Sequence, residues 1–163
     1  MRDEVNEGVA AEGASAPASA PLKSLVYSST AVQPFDDTQL DALLQQARMR
    51  NSLLGITGML SYRGGSFIQF LEGSEDHIDA LMASIRADQR HRDVRVLIED
   101  RISERQFSSW TMGYERMRNT EQRPPAGFRD TFADLQRGDD DLITARAARE
   151  LMFWFKVRSG AQE

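Results

Sequence analysis

Apolar and polar positions fall into a regular order from Leu22 onward. Residues 22–29 (LKSLVYSS) alternate loosely and contain Val and Tyr, which predicts a strand. Asp36 is placed as a helix N-cap, with Gln39 at N3 completing a capping-box pattern and Phe35 and Leu40 spaced for a hydrophobic staple. Leu40, Leu43, Leu44 and Ala47 then recur at i, i+3, i+4 and i+7, predicting an amphipathic helix over roughly 37–50. Residues 55–62 and 66–72 are apolar, strand-like runs. Gly64-Gly65 between them signals a two-residue hairpin, because both central positions of a type I′ turn need positive φ. A second helix is expected at about 75–88, capped by Ser74, with Ile78, Leu81, Met82 and Ile85 on one face. Val94, Val96 and Ile98 mark a further strand. Trp110, Met112 and Tyr114 mark a last one, with all three expected on the same side by the period of two.

The order β-α-β-β-α-β-β is the split-βαβ, ferredoxin-like pattern of an α+β protein, with one added strand. Two helices cover one face of such a sheet, and the other face needs cover of its own. The C-terminal part can supply it. After Pro124-Pro125-Ala126-Gly127 a short helix is expected near 127–136. A longer one is expected over about 140–157, with Ile143, Ala147, Leu151, Trp154 and Phe155 on one stripe. Residues 1–21 are rich in Ala, Gly, Ser, Glu and Pro and read as a flexible arm. The expected organisation is therefore an arm at 1–21, a core domain at 22–116 and a helical extension at 117–163.

Composition narrows the function classes. A chain of 163 residues suits one domain with a real core. A net charge of −5 argues against nucleic acid as a partner, which needs a basic surface, and against anionic membrane. The absence of cysteine excludes disulfides and thiolate chemistry, and His77 and His91 alone are too few for a zinc cage, so no metal site is expected. No apolar run approaches the ~20 residues that cross a bilayer. Ala14-Ser15-Ala16-Pro17 faintly resembles a signal-peptidase site but no apolar stretch precedes it, so a cytoplasmic protein is expected.

A few polar residues are hard to explain as packing. Tyr27 shares a strand face with Leu25, and Gln69 shares one with Phe67 and Leu71. Both strands are expected in the sheet interior, so each polar tip needs a hydrogen-bond partner, unless Tyr27 sits at an edge and reaches water. Asn51 at the end of the first helix, Arg90-His91 past the second, and Trp110 and Met112 each have an ordinary structural explanation when taken alone. Asp139-Asp140-Asp141 is most simply a charged helix N-terminus. Gly55-Ile56-Thr57-Gly58 lacks the lysine of a phosphate loop, and there is no G-x-S-x-G.

Together these blocks carry more than any one of them. Leu22–Ser29, Ala47-Arg48-Met49-Arg50-Asn51, Gly55-Ile56-Thr57-Gly58-Met59-Leu60, Phe67-Ile68-Gln69-Phe70-Leu71-Glu72-Gly73, Asp88-Gln89-Arg90-His91 and Phe107-Ser108-Ser109-Trp110-Thr111-Met112-Gly113 closely resemble BLUF domains, the blue-light sensors that use FAD. The resemblance covers about residues 22–116, every block in order.

The resemblance implies a non-covalently bound flavin between the two helices, on the sheet face they cover. Tyr27 would be its electron and proton donor, and Gln69 would sit between the tyrosine hydroxyl and the flavin. Asn51 and Arg90 would hold the ring's polar edge and His91 would pack against it. Ser29 and Arg50 are looser candidates for the pocket and the cofactor tail. Trp110 and Met112 would be an exchangeable pair near Gln69 that reads the switch, and which of them faces inward in the dark is left open. FAD is the expected cofactor, with FMN and riboflavin open because the tail contacts are poorly specified.

Rearranging one hydrogen bond is worth ~0.5–1.5 kcal/mol. Driving a two-state equilibrium from 1:99 to 99:1 takes ~5.5 kcal/mol, so a large side chain on the last strand must repack as well. The signal is expected to leave through that strand to the helices at 127–157. No output enzyme domain follows in this sequence, so the output is expected to act through binding, as a homo-oligomer or on a downstream protein. The apolar run Leu151–Phe155 offers a surface for this, unless all five side chains are buried.

Two other readings compete. A small hydrolase of acylphosphatase type would need a phosphate-cradling loop with Arg after the first strand, where this chain has Ser29-Thr30-Ala31-Val32. A ligand-free interaction module would be colourless, with Tyr27, Gln69 and Asn51 dispensable.

Overall fold

The computed structural model describes residues 20–108, 110–116, 133, 135 and 141–160. Strand β1 (Leu22–Ala31) is followed by helix α1 (Asp37–Leu54), the hairpin β2 (Thr57–Arg63) and β3 (Ser66–Ser74), and helix α2 (Glu75–Ala87). Then come β4 (His91–Ile102), the short β5 (Gly113–Arg116) and helix α3 (Asp141–Gly160). The strands form one sheet in the order β4-β1-β3-β2-β5. β3 lies between β1 and β2 and runs antiparallel to both, β4 is antiparallel to β1, and β5 is parallel to β2. This is the ferredoxin-like α+β arrangement with one strand added beside β2.

Local chemistry sets the element ends. The Asp36 side chain accepts from the Gln39 backbone N–H at 2.8 Å, and the Gln39 side chain accepts from the Asp36 N–H at 3.0 Å, so the capping box closes. At the other end Gly55 adopts φ 64° and donates its N–H to the Asn51 carbonyl, a left-handed cap that lets α1 run on to Leu54. Asn51 therefore sits inside the last turn and does not end the helix. Gly64 and Gly65 take φ 56° and 82°, the positive pair that a type I′ hairpin requires. Ser74 stands at the N-cap of α2 but makes no side-chain cap bond, and Glu75 and Asp76 supply the acidic first turn instead.

The period of two divides the sheet into two faces. Leu25 and Tyr27 of β1, Leu60 and Tyr62 of β2, and Phe67 and Leu71 of β3 join Leu40, Leu44, Ile78 and Leu81 in a core beneath α1 and α2. Val26, Met59, Ile68 and Phe70 point the other way and pack against Leu135 and Ala147, Ala148 and Leu151 of α3. The second face is thus covered by C-terminal helical residues, as expected. Of the short helix expected near 127–136, only Ala133 and Leu135 are described, and both are helical. On α3, Trp154 is 38% exposed and Phe153 69%, so the run Leu151–Phe155 is not wholly buried. Nothing is described of the Ile143 and Phe155 side chains. Among the described residues no helix is long and apolar enough to cross a membrane.

The expected last strand needs correction. β5 is only Gly113–Arg116, and Trp110 and Met112 precede it on opposite sides of the sheet. The chain turns where the Trp110 N–H meets the Phe107 carbonyl at 3.2 Å, which breaks the alternation on which a common side depended. The Trp110 ring stacks on Phe107 at 5.9 Å in the second core and lies over Gly113, where a Cβ would come within 2.3 Å of it. Met112 is buried in the first core. A second close approach fixes Gly58, whose place leaves no room for a Cβ (1.9 Å from the Phe70 carbonyl oxygen).

Candidate functional site

Between α1 and α2, above the sheet, lies a cleft lined by both apolar and polar side chains, the usual make-up of a small-molecule site. Strand register builds its floor. Tyr27 pairs directly with Gln69, and Gln69 with Leu60, so the three stand side by side across β1, β3 and β2. Leu43, Ala47 and Arg50 of α1 form one wall, Ser84 and Ile85 of α2 the other, and Asp88, Arg90 and His91 the rim.

A polar chain runs along this floor. The Tyr27 hydroxyl donates to Gln69 Oε1, and Gln69 Nε2 donates to Met112 Sδ at 3.3 Å. The thioether fixes the amide's orientation, because sulfur there can only accept and must face the NH2 end. All three side chains are buried. Burial pushes the Tyr27 hydroxyl well above the ordinary tyrosine value. The nearby Arg50 charge pulls it back in part, and Asp88 adds a further upward push. Tyr27 is therefore a neutral donor throughout the physiological range.

The other expected site residues fall at or beside the cleft. His91 donates from Nε2 to the Ile85 carbonyl (2.6 Å), since a carbonyl can only accept, and Nδ1 meets the Ser29 hydroxyl at 2.9 Å. Ser29 thus orients His91 from behind and does not line the cleft itself. Arg90 is held by Asp88 through Nη2 at 2.6 Å and Nε at 3.0 Å, and reaches Gln46 at 3.5 Å. That guanidinium keeps the Asp88 carboxyl below its usual range. Asn51 is fully buried behind the α1 wall and donates from Nδ2 to the Thr111 carbonyl at 3.0 Å. Asn51 Oδ1 and Arg50 Nε are both buried with no partner among the described residues. Buried polar atoms left this way are rare and point to a missing ligand group. One acceptor and one cationic donor fit a heteroaromatic ring with an imide edge, or a polar tail.

Two of the expected residues do not meet there. Met112 touches Gln69, whereas Trp110 lies across the sheet from the cleft. Sequence reasoning assigned no role to Asp88, Gln46, Ser84 or Arg48. Arg48 donates from Nε to the Met112 carbonyl at 3.0 Å and so ties α1 to the segment before β5. Asp88 opens the run Asp88-Gln89-Arg90-His91, and its spacing to Arg90 was the available signal. Gln46 and Ser84 carry none, because polar residues at those helix positions read equally well as solvent-facing.

Known proteins resemble this chain in sequence and fold. A family model described as BLUF, sensors of blue-light using FAD, matches residues 22–113. Photoactivated adenylate cyclase subunit beta of Euglena longa is 38% identical over 124 residues, which is 76% of this chain but 14% of that protein. This chain therefore spans only a small part of the curated relatives it matches. The dark-state structure of BlrB, a BLUF protein, has a TM-score of 0.68 at 29% identity and covers 85% of this chain and 98% of that one. BlrP1 of Klebsiella pneumoniae with FMN and cyclic diGMP has a TM-score of 0.54 at 39% identity, covering 58% of this chain and 26% of that one.

Proposed function

Since the chain belongs to the BLUF family of blue-light flavin sensors, we propose that it senses blue light through FAD held in the α1–α2 cleft. In this reading Tyr27 and Gln69 are the switching pair and Met112 is the reader. The domain is a photosensory module and is not catalytic on its own. The observation that carries the finer reading is the buried chain Tyr27–Gln69–Met112 on the cleft floor, with Arg50 Nε and Asn51 Oδ1 left unpartnered beside it.

Arg50 and Asn51 would hold the cofactor's polar groups, His91 would pack at the rim, and Arg90 would contribute from its Asp88-bound position. FMN is the alternative cofactor, since a BlrP1 neighbour carries it. When bound, the flavin supplies blue-light absorption and an excited state that accepts an electron. Tyr27 holds its proton against Gln69 Oε1, and a tyrosine that has lost an electron is far more acidic, so that proton has an immediate acceptor in the amide. Gln69 has a donor end and an acceptor end. Turning the amide, or shifting its proton, exchanges what it offers to the cleft and what it offers to Met112. An inverted amide would set its carbonyl oxygen against the Met112 sulfur, with no hydrogen between two acceptors. That penalty pushes Met112 away from Gln69.

Met112 stands directly before β5, so its displacement pulls on the strand paired with β2. We take residues 22–116 as the sensor and 117–163 as the element that passes the signal on. The receiver is a protein, whether a second copy, a separate partner or a linked effector of the kind named in the cyclase relatives. Gln69→Leu tests the pairing. It should retain flavin and lose the light-induced red shift of the flavin band. A Gln69→Leu protein that shifts like the wild type would remove Gln69 from the mechanism.

A further inference from the structure

Three residues beyond Gln69 on β3, Glu72 points to the opposite sheet face and is 1% exposed. Its carboxyl oxygens accept from the backbone N–H of Gln106 at 3.0 and 2.8 Å and from that of Phe107 at 2.9 Å. Arg105 closes the same junction from the loop side. Its Nη1 donates to the Glu72 carbonyl and to Thr57 Oγ1, both at 2.9 Å, and its Nη2 donates to the Gly55 carbonyl at 2.6 Å. The segment between β4 and β5 is therefore stapled at residues 105–107 to the start of β2 and the end of β3. Five residues after the staple the chain delivers Met112 Sδ to Gln69 Nε2.

Glu72 does not line the cleft, so it has no part in holding a ligand. Burying a carboxyl is costly unless its bonds are made, and among the described residues they are made to the backbone of this one segment. A thioether is a weak acceptor. Its contact with an amide therefore depends on how firmly the backbone presents it.

We propose that Glu72 is a positioning residue for the photoswitch, clamping the Gln106 and Phe107 amides so that Met112 meets the Gln69 side chain in one fixed register. This rests on the photosensory reading above. It makes the two ends of a single strand act together, Gln69 from the cleft side and Glu72 from behind.

The test is the rate of thermal return from the light-shifted to the dark absorption, measured on the full chain loaded with FAD. Glu72→Gln keeps the side chain's shape but turns an NH2 group toward backbone donors. It should retain the light shift and change the return rate roughly fivefold or more, in the range of coupling between residues of one network. In a Met112→Leu background the same substitution should change the return rate less than about twofold, because the contact it positions is gone. The fall in melting temperature should be equal in both backgrounds, which separates positioning from general stability. Arg105→Gln loosens the same junction and should show the same dependence on Met112, so the proposal stays testable if Glu72→Gln does not fold. Equal rate changes with and without Met112, or no rate change from either variant, would overturn the clamp while the light shift itself upholds the sensor. A wild-type protein with bound FAD and no light shift would overturn both.

Discussion

Replacing Tyr27 by phenylalanine removes one hydroxyl and leaves the ring in its place on the cleft floor. Tyr27 and Gln69 are directly paired across β1 and β3 and both are buried, so the Gln69 carbonyl cannot turn to water for a new partner. An acceptor left unpaired in that position costs about 1–3 kcal/mol. Domains of this size are stable by about 5–15 kcal/mol, so the variant folds. The same structure sets a second, pH-dependent signature. Burial raises the folded-state pKa of Tyr27 above the ordinary value near 10, so the folded chain holds this proton more tightly than the unfolded one. The stabilisation is complete below about pH 10 and is lost as pH rises toward the folded value, at up to ~1.4 kcal/mol per pH unit. Phenylalanine has no such proton.

Urea unfolding of both proteins at pH 7 and pH 11, with equal flavin loading, reads both effects. Tyr27→Phe should be less stable by about 1–3 kcal/mol at pH 7, and the gap should narrow by roughly 1 kcal/mol at pH 11. Its flavin should bind and show no light-induced shift. A gap below about 0.5 kcal/mol at pH 7 that does not change at pH 11 would refute the buried Tyr27–Gln69 bond. A full light shift in the variant would refute its place in the switch.

Arg50→Met and Asn51→Leu each remove a buried polar atom that has no partner among the described residues, and each should weaken flavin binding about 10- to 100-fold in a fluorescence titration. Unchanged affinity in both would take the two residues out of the cofactor site. Gly58→Ala drives a Cβ into the Phe70 carbonyl, with strand backbone as the obstacle, and should destabilise by about 3 kcal/mol or more by urea denaturation. A loss under ~1 kcal/mol would mean that β2 and β3 can separate there without cost. Asp88→Asn removes a carboxyl whose folded pKa Arg90 depresses. The wild type should lose that stabilisation as pH falls below about 4, and the variant's acid limb should be shallower. Identical acid limbs would show that the pair contributes nothing to folding.

Most of the fold was legible because its signals are local. The capping box at Asp36 and Gln39 and the paired glycines at 64 and 65 act within four residues, and both hold in the structure. The pairing of polar Tyr27 with polar Gln69 was visible as two residues out of place on apolar strands, though their contact depended on register. The faces of Trp110 and Met112 were not legible. Period-two reasoning assumes a continuous strand, and a turn closed between Phe107 and Trp110 leaves no local hydrophobic signature. Asn51 read as a helix end because Asn is common there, while the left-handed cap at Gly55 sets the end four residues later. Arg48 and Glu72 were passed over because each acts on the backbone of a segment more than thirty residues away, a contact made only by folding.

The central claim is that light rearranges a buried Tyr27–Gln69–Met112 chain beside a bound flavin. The absorption spectrum of the purified protein, loaded with FAD and recorded in the dark and directly after blue light, tests it most directly. A flavin band that shifts slightly to the red, returns thermally in the dark and loses the shift in Gln69→Leu is the predicted result. A protein that takes up no flavin, or a bound flavin whose band light does not move, would contradict the account.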